Sequence, residues 1–242
     1  MKASPSDQLQ ILDIQRMDFH VATLRNKMGT LPEIAQLNTT NSRLTVVRDL
    51  QVAAQTQISD IKVELSRSES DVEQVATRLQ RDEKRLADGS TGAKDLEKLQ
   101  HEVQTLITRR SELEEVELEI MMRIDGITAR LNELKAEEAI LITQSAEIDS
   151  LKKSATQALE AEIDLTVAER ASTVATVDKS LLELYEKIRT SGGTGAAALR
   201  EGKCDGCHLS INGVELNRLK TLADDEIVRC EECRCILVRG SK

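Results

Sequence analysis

The chain has 242 residues but only two aromatic side chains, Phe19 and Tyr185, and no Trp. A single large globular core draws on many buried aromatic residues, so this composition excludes one. The net charge is −9, and residues 111–164 alone carry 14 Asp or Glu against five Lys or Arg, a run that repels nucleic acid or simply solvates an outer helix face. No apolar segment approaches the roughly 20 residues of a membrane span, and the opening MKASPSDQLQ lacks a signal-peptide block, so the expected location is the cytoplasm.

The first expected helix spans residues 7–29, with Ile14, Met17, Val21, Leu24 and Met28 on one face. Gly29 and Leu31-Pro32 break it, because proline lacks the amide donor and biases its predecessor away from helix. From Leu37 a seven-residue repeat follows: Leu37, Leu44, Gln51, Ile58, Leu65, Val72, Leu79 and Leu86. The column between them is weaker, with Thr40, Val47, Ala54, Ile61, Ser68, Val75 and Asp82. Gly89-Ser90-Thr91-Gly92 offers a turn. The repeat resumes with Leu99, Leu106, Leu113, Ile120, Ile127, Leu134, Leu141 and Ile148, in a stretch from 93 to 191 that has no Pro and one Gly, Gly126. Such a stretch reads as one very long helix.

The two columns constrain each other. Facing residues of an antiparallel pair have a constant sum, and 185 pairs Leu86 with Leu99, Leu79 with Leu106 and so on to Leu37 with Ile148, both members being apolar in every layer but the one of Gln51 with Leu134. In the alternate layers Arg110, opposite Val75, is expected to reach Asp71 or Glu73 with its head. A sum near 191 continues the pairing past Pro32, matching Met28 to Ile163, Leu24 to Val167, Met17 to Val174 and Ile14 to Val177. The expected fold is mostly α: a long kinked antiparallel coiled-coil hairpin over 1–190, about 80 Å from Pro32 to a tip at 88–94. A Gly-rich joint at 191–198 and a small C-terminal β zinc ribbon at 199–242 follow, with the N-terminus near the cysteine-bearing end.

All five cysteines lie between 204 and 235. Cys204-Asp-Gly-Cys207 and Cys230-Glu-Glu-Cys233 each present two thiolates from a tight turn, and two such turns close a tetrahedron around one structural zinc ion. Four thiolates leave no position for substrate. Iron is the minority alternative for such a site. Cys235 is a rival for Cys233, and His208 is a bystander beside Cys207. Residues 210–214 (Ser-Ile-Asn-Gly-Val) read as a hairpin, while Ile227-Val228 and Ile236-Leu237-Val238 read as strands. With no aromatic, this module is expected to depend on the metal for folding.

The segment Lys94-Asp-Leu-Glu-Lys-Leu-Gln-His101-Glu, the ending Asp225-Glu-Ile-Val-Arg-Cys230-Glu-Glu-Cys233 and the Ile236-Leu237-Val238 after it resemble the bacterial coiled-coil plus C4-type zinc-ribbon family. The resemblance implies zinc on Cys204, Cys207, Cys230 and Cys233. It also implies an adaptor or chaperone for transcription, flagellar or secretion components, messenger RNA binding being a further property of some members. The family usually has Gly-Arg after its fourth cysteine, where this chain has Arg234-Cys235.

Three functions compete. A non-enzymatic adaptor would contact protein partners through the tip, near the outward His101, and through the ribbon. A nucleic-acid regulator would use Arg218, Lys220, Arg229, Arg234 and Arg239. Residues 195–242, however, balance eight basic against eight acidic side chains and offer no aromatic for base stacking. An enzyme lacks a nucleophile-base pair and a phosphate loop. The expected assembly is a monomer or weak homodimer.

Overall fold

The computed structural model describes residues 1–88 and 92–240. In chain order the elements are α1 (Pro5–Gly29), α2 (Pro32–Ala87), α3 (Ala93–Val174), α4 (Lys179–Thr190), β1 (Ala196–Arg200), β2 (Lys203–Cys204), α5 (Gly213–Thr221), β3 (Val228–Arg229) and β4 (Ile236–Val238). They form two compact units: Ala35–Asp149, and Met1–Ile34 together with Ser150–Lys242.

In the first unit α2 and α3 pair antiparallel. The Gln51 amide donates to the Leu134 carbonyl at 3.2 Å, the layer that a sum of 185 assigns to these two residues. Arg48 to Glu138 at 2.8 Å, Arg123 to Glu64 at 3.1 Å and Ser145 to Asn41 at 3.2 Å keep the same register along the pair. Both columns face inward, but their roles differ from their strength in sequence. Val47, Ala54, Ile61, Ser68 and Asp82 of the weaker column are buried, as is Leu79 of the stronger one, whereas Leu44, Ile58, Leu65 and Val72 are half-buried. Arg110 does not cross to Asp71 or Glu73; it bonds Glu114 at 2.7 Å, one turn along its own helix, a pairing that needs no ordering across the seam. The turn expected at Gly89-Ser90-Thr91 lies outside the described residues.

In the second unit Ser4 caps α1, accepting from the Asp7 amide at 3.1 Å, with Pro5 in the first turn. The helix ends at Gly29, and the expected break separates it from Pro32. Leu24, Leu31 and Leu159 form one cluster with Met28, Ala155 and Ile163 against it. Ile11 and Ile14 join Val177, Leu181, Tyr185 and Ile188 in another. Met28 with Ile163 and Ile14 with Val177 thus share clusters as their sum requires, but Leu24 packs with Leu159, and Val167 is exposed. The long helix also ends earlier than expected: it stops at Val174 rather than running to 190, and Asp178 starts α4 by accepting from the Ser180 and Leu181 amides at 3.0 and 3.1 Å.

The two aromatics have opposite fates. Phe19 is 71% exposed, and Tyr185 is fully buried with its hydroxyl donating to Asp18 at 2.7 Å. Asp18 also accepts from Arg170 at 2.7 Å, and Arg170 bonds Glu186. Burial and the Asp18 bond push the Tyr185 phenol far above its ordinary value.

The sheet order is β2-β1-β4-β3, with β1 parallel to β4 and the other pairs antiparallel. Alternation along the strands serves two cores. Ala196, Ile236 and Val238 face α1 and α4, while Ala197 and Leu237 face the cysteines. Two expectations fail here. The joint at 191–198 overlaps β1: Ala196–Ala198 are buried, and Gly195 is a close-contact position, since a Cβ there would lie 2.4 Å from the Tyr185 ring. Its amide and that of Ala196 donate to the Gln15 side chain at 2.8 and 3.2 Å. Residues 210–214 do not form a hairpin either; Asn212 caps α5, its side chain accepting from the Val214 amide at 2.8 Å. The N-terminal segment lies beside the ribbon, Ala3 donating to the Asp225 carbonyl at 2.8 Å and Ile227 to that of Met1 at 3.1 Å.

Candidate metal centre

Two tight turns, one after β2 and one after β3, carry the cysteine pairs. The amides of Cys207 and Gly206 donate to the Cys204 sulfur, and those of Cys233 and Glu232 donate to Cys230, so each turn is folded around its first cysteine. The residue after each pair holds a left-handed backbone, His208 at φ 62° and Arg234 at φ 63°. The His208 amide closes the first turn onto the Cys204 carbonyl at 2.7 Å, and the Arg234 amide closes the second onto that of Cys230 at 3.1 Å.

These turns bring Cys204, Cys207, Cys230 and Cys233 together, with all four sulfurs within 4.8 Å of one another. Cys204 and Cys233 are 3.9 Å apart, as are Cys207 and Cys230. Tetrahedral thiolate coordination with bonds of about 2.3 Å requires sulfurs about 3.8 Å apart. The donor set therefore fits such an ion and is a closed one. Cys235 is outside this group of four, though its sulfur is 3.4 Å from Cys233 and 3.6 Å from Cys204. Burial pushes the Cys204 thiol up from its ordinary value and pushes the Cys235 thiol far up. At Cys230 burial acts the same way, but the amides of Cys233 and Glu232 and the neighbouring sulfurs outweigh it, and the thiol is held lower. His208 is not in the cluster.

The nominated basic residues do not share one role. Arg239 is a structural clamp, donating to the carbonyls of Leu219, Leu222, Ala223 and Glu226 at 2.6 to 3.0 Å, where α5 ends. Arg218 is paired with Glu215 at 2.6 Å, and Arg229 donates to the Arg234 carbonyl at 2.8 Å. Lys220 and Arg234 are exposed. Reading the residues alone missed the clamp, because an arginine near a chain end carries no sign of the carbonyls that the fold collects around it. His101 is exposed, beside Gln104, Thr105 and Thr108.

An antiparallel coiled-coil hairpin joined to a C4 cysteine ribbon is the class of protein that this fold and site define. Residues 14–193 match the CT398-like coiled coil hairpin domain and residues 203–237 the C4-type zinc ribbon domain; the chain belongs to the CT398-like coiled-coil hairpin family. It is 32% identical over 243 residues to the uncharacterized protein Rv2229c of Mycobacterium tuberculosis, covering 99% of this chain and 98% of that one. A solved structure from Mycobacterium smegmatis is 31% identical with a TM-score of 0.86, covering 99% of this chain and all of the other. CT398 from Chlamydia trachomatis shares the fold at 19% identity and a TM-score of 0.69, over 97% of this chain and 98% of that one. Among the described residues no helix is long and apolar enough to cross a membrane.

Proposed function

We propose that the protein is a non-enzymatic, zinc-binding adaptor, in which one structural zinc ion folds the ribbon and the helices present contacts to other proteins. The observation that carries this reading is the closed donor set: four cysteine sulfurs within 4.8 Å complete a tetrahedral sphere and leave no position at which a substrate or water would meet the metal. Cys204, Cys207, Cys230 and Cys233 would hold the ion, whose contribution is to tie the two turns together.

The adaptor reading draws support from the helices. Leu118, Met122 and Ile140 of α3 are 60%, 73% and 58% exposed. Met122 and Ile140 are separated by 18 residues, five helical turns, so they share one face, and Leu118 lies a turn before Met122. Exposed apolar side chains aligned along one helix face suit contact with an extended protein partner. Protein binding ranks above nucleic-acid binding, because Arg218 and Arg239 are engaged within the ribbon.

The test immobilises the full chain and a Met122→Glu, Ile140→Glu double variant in cytoplasmic extract and compares the proteins retained, with helicity followed by circular dichroism. Wild type should retain specific proteins that the equally helical variant loses. Identical sets, or none, would overturn the adaptor reading. Metal analysis of the same preparations should find one zinc per chain.

A further inference from the structure

We propose that Cys235 is a reserve metal ligand, held against the Cys204–Cys233 edge of the thiol cluster and able to replace Cys233; this rests on the zinc reading above. Five thiols converge where one tetrahedral ion takes four. The Cys235 sulfur lies 3.4 Å from Cys233 and 3.6 Å from Cys204, close to the roughly 3.8 Å between two ligands of one zinc ion. It is therefore at ligand spacing from half of the cluster while standing outside it.

The surroundings hold it there. Cys235 is fully buried, and its carbonyl accepts from the Cys230 amide at 3.0 Å, so the backbone that carries the fifth thiol is tied to the turn that carries the third. Gly206 lies across the cluster from it, where an added Cβ would sit 3.0 Å from that of Ala197 and in ordinary contact with the Cys235 sulfur at 3.5 Å. Exchange would bring the Cys235 sulfur to the metal position by a change of its side-chain rotamer as Cys233 leaves. Cys233, like Cys207, is half-buried, and it is the half-buried ligand that the buried Cys235 adjoins. The geometry makes Cys204 common to both ligand sets, with Cys207 and Cys230 unchanged.

Cobalt(II) titration of the metal-free full chain tests this, since sulfur-to-cobalt charge-transfer absorption grows with the number of bound thiolates. Wild type, Cys235→Ser and Cys233→Ser should all reach the same four-thiolate intensity, and the double variant should fall by about a quarter, as expected for three thiolates in four positions. A Cys233→Ser spectrum as weak as that of the double variant, or no cobalt binding by Cys233→Ser, would overturn the proposal. Failure of the zinc reading looks different: wild type itself would then lack the four-thiolate spectrum.

Discussion

Each cysteine pair is followed by a residue whose backbone an L-amino acid rarely adopts, His208 in one turn and Arg234 in the other. Left-handed backbone costs a residue with a Cβ about 1–2 kcal/mol, and glycine gives back part of that difference through its larger entropy loss on folding. Glycine is what family resemblance leads one to expect at 234. The local bond there belongs to the backbone, since Arg229 donates to the Arg234 carbonyl, which any residue supplies. Arg234→Gly should therefore stabilise the ribbon by about 0.5–1 kcal/mol. Thermal unfolding of the metal-loaded chain reads this out. A lower midpoint would instead mean that the Arg234 side chain makes a stabilising contact.

Among the elements, the paired helices show how far a repeat can be read and where reading stops. The constant sum identified which residues face each other, because heptad spacing and an antiparallel turn leave little freedom. Which residues of each column are buried depends on packing in three dimensions, and in α2 the structure buries Val47, Ala54, Ile61, Ser68 and Asp82 along with Leu79. Asp82 is the exception in kind. It is buried, one carboxylate oxygen accepts no hydrogen bond, and Arg78, Arg81 and Arg85 stand 3.4 to 3.8 Å away with their own side chains exposed. Those arginines regain water if the carboxylate goes. Asp82→Leu should accordingly raise the stability of the helix pair by about 1–3 kcal/mol, seen as a higher urea midpoint. A decrease would show that the long arginine pairs outweigh the desolvation of the carboxylate.

For the whole molecule, the ribbon is not an independent appendage within its unit. One face of its sheet shares a core with α1 and α4, the other with the cysteines, and the N-terminal residues hydrogen-bond to its loop at Asp225–Ile227. Small zinc modules draw their folding free energy from the metal. Chelation should therefore release the amides of β1, β3, β4 and α5, together with those of Ala3 and Ile227, to rapid hydrogen exchange. The amides of α2 and α3 within 35–149 should keep their protection. Loss of protection throughout that helix pair, or none in the ribbon, would contradict this expectation.

Periodicity, composition and cysteine spacing were sufficient for the pairing of α2 with α3 and its register, the break before Pro32 and the convergence of four cysteines, because each follows from local geometry repeated along the chain. Tertiary packing decided the rest. Three alanines read as part of a joint became a buried strand, since they pair with Ile236–Val238 between two cores. Asp178 became a helix start inside a run that reads as continuous helix. Arg239 became a clamp, because the fold aims four carbonyls at it. In each case the residue's own preference is weak, and what it does is set by neighbours distant in sequence.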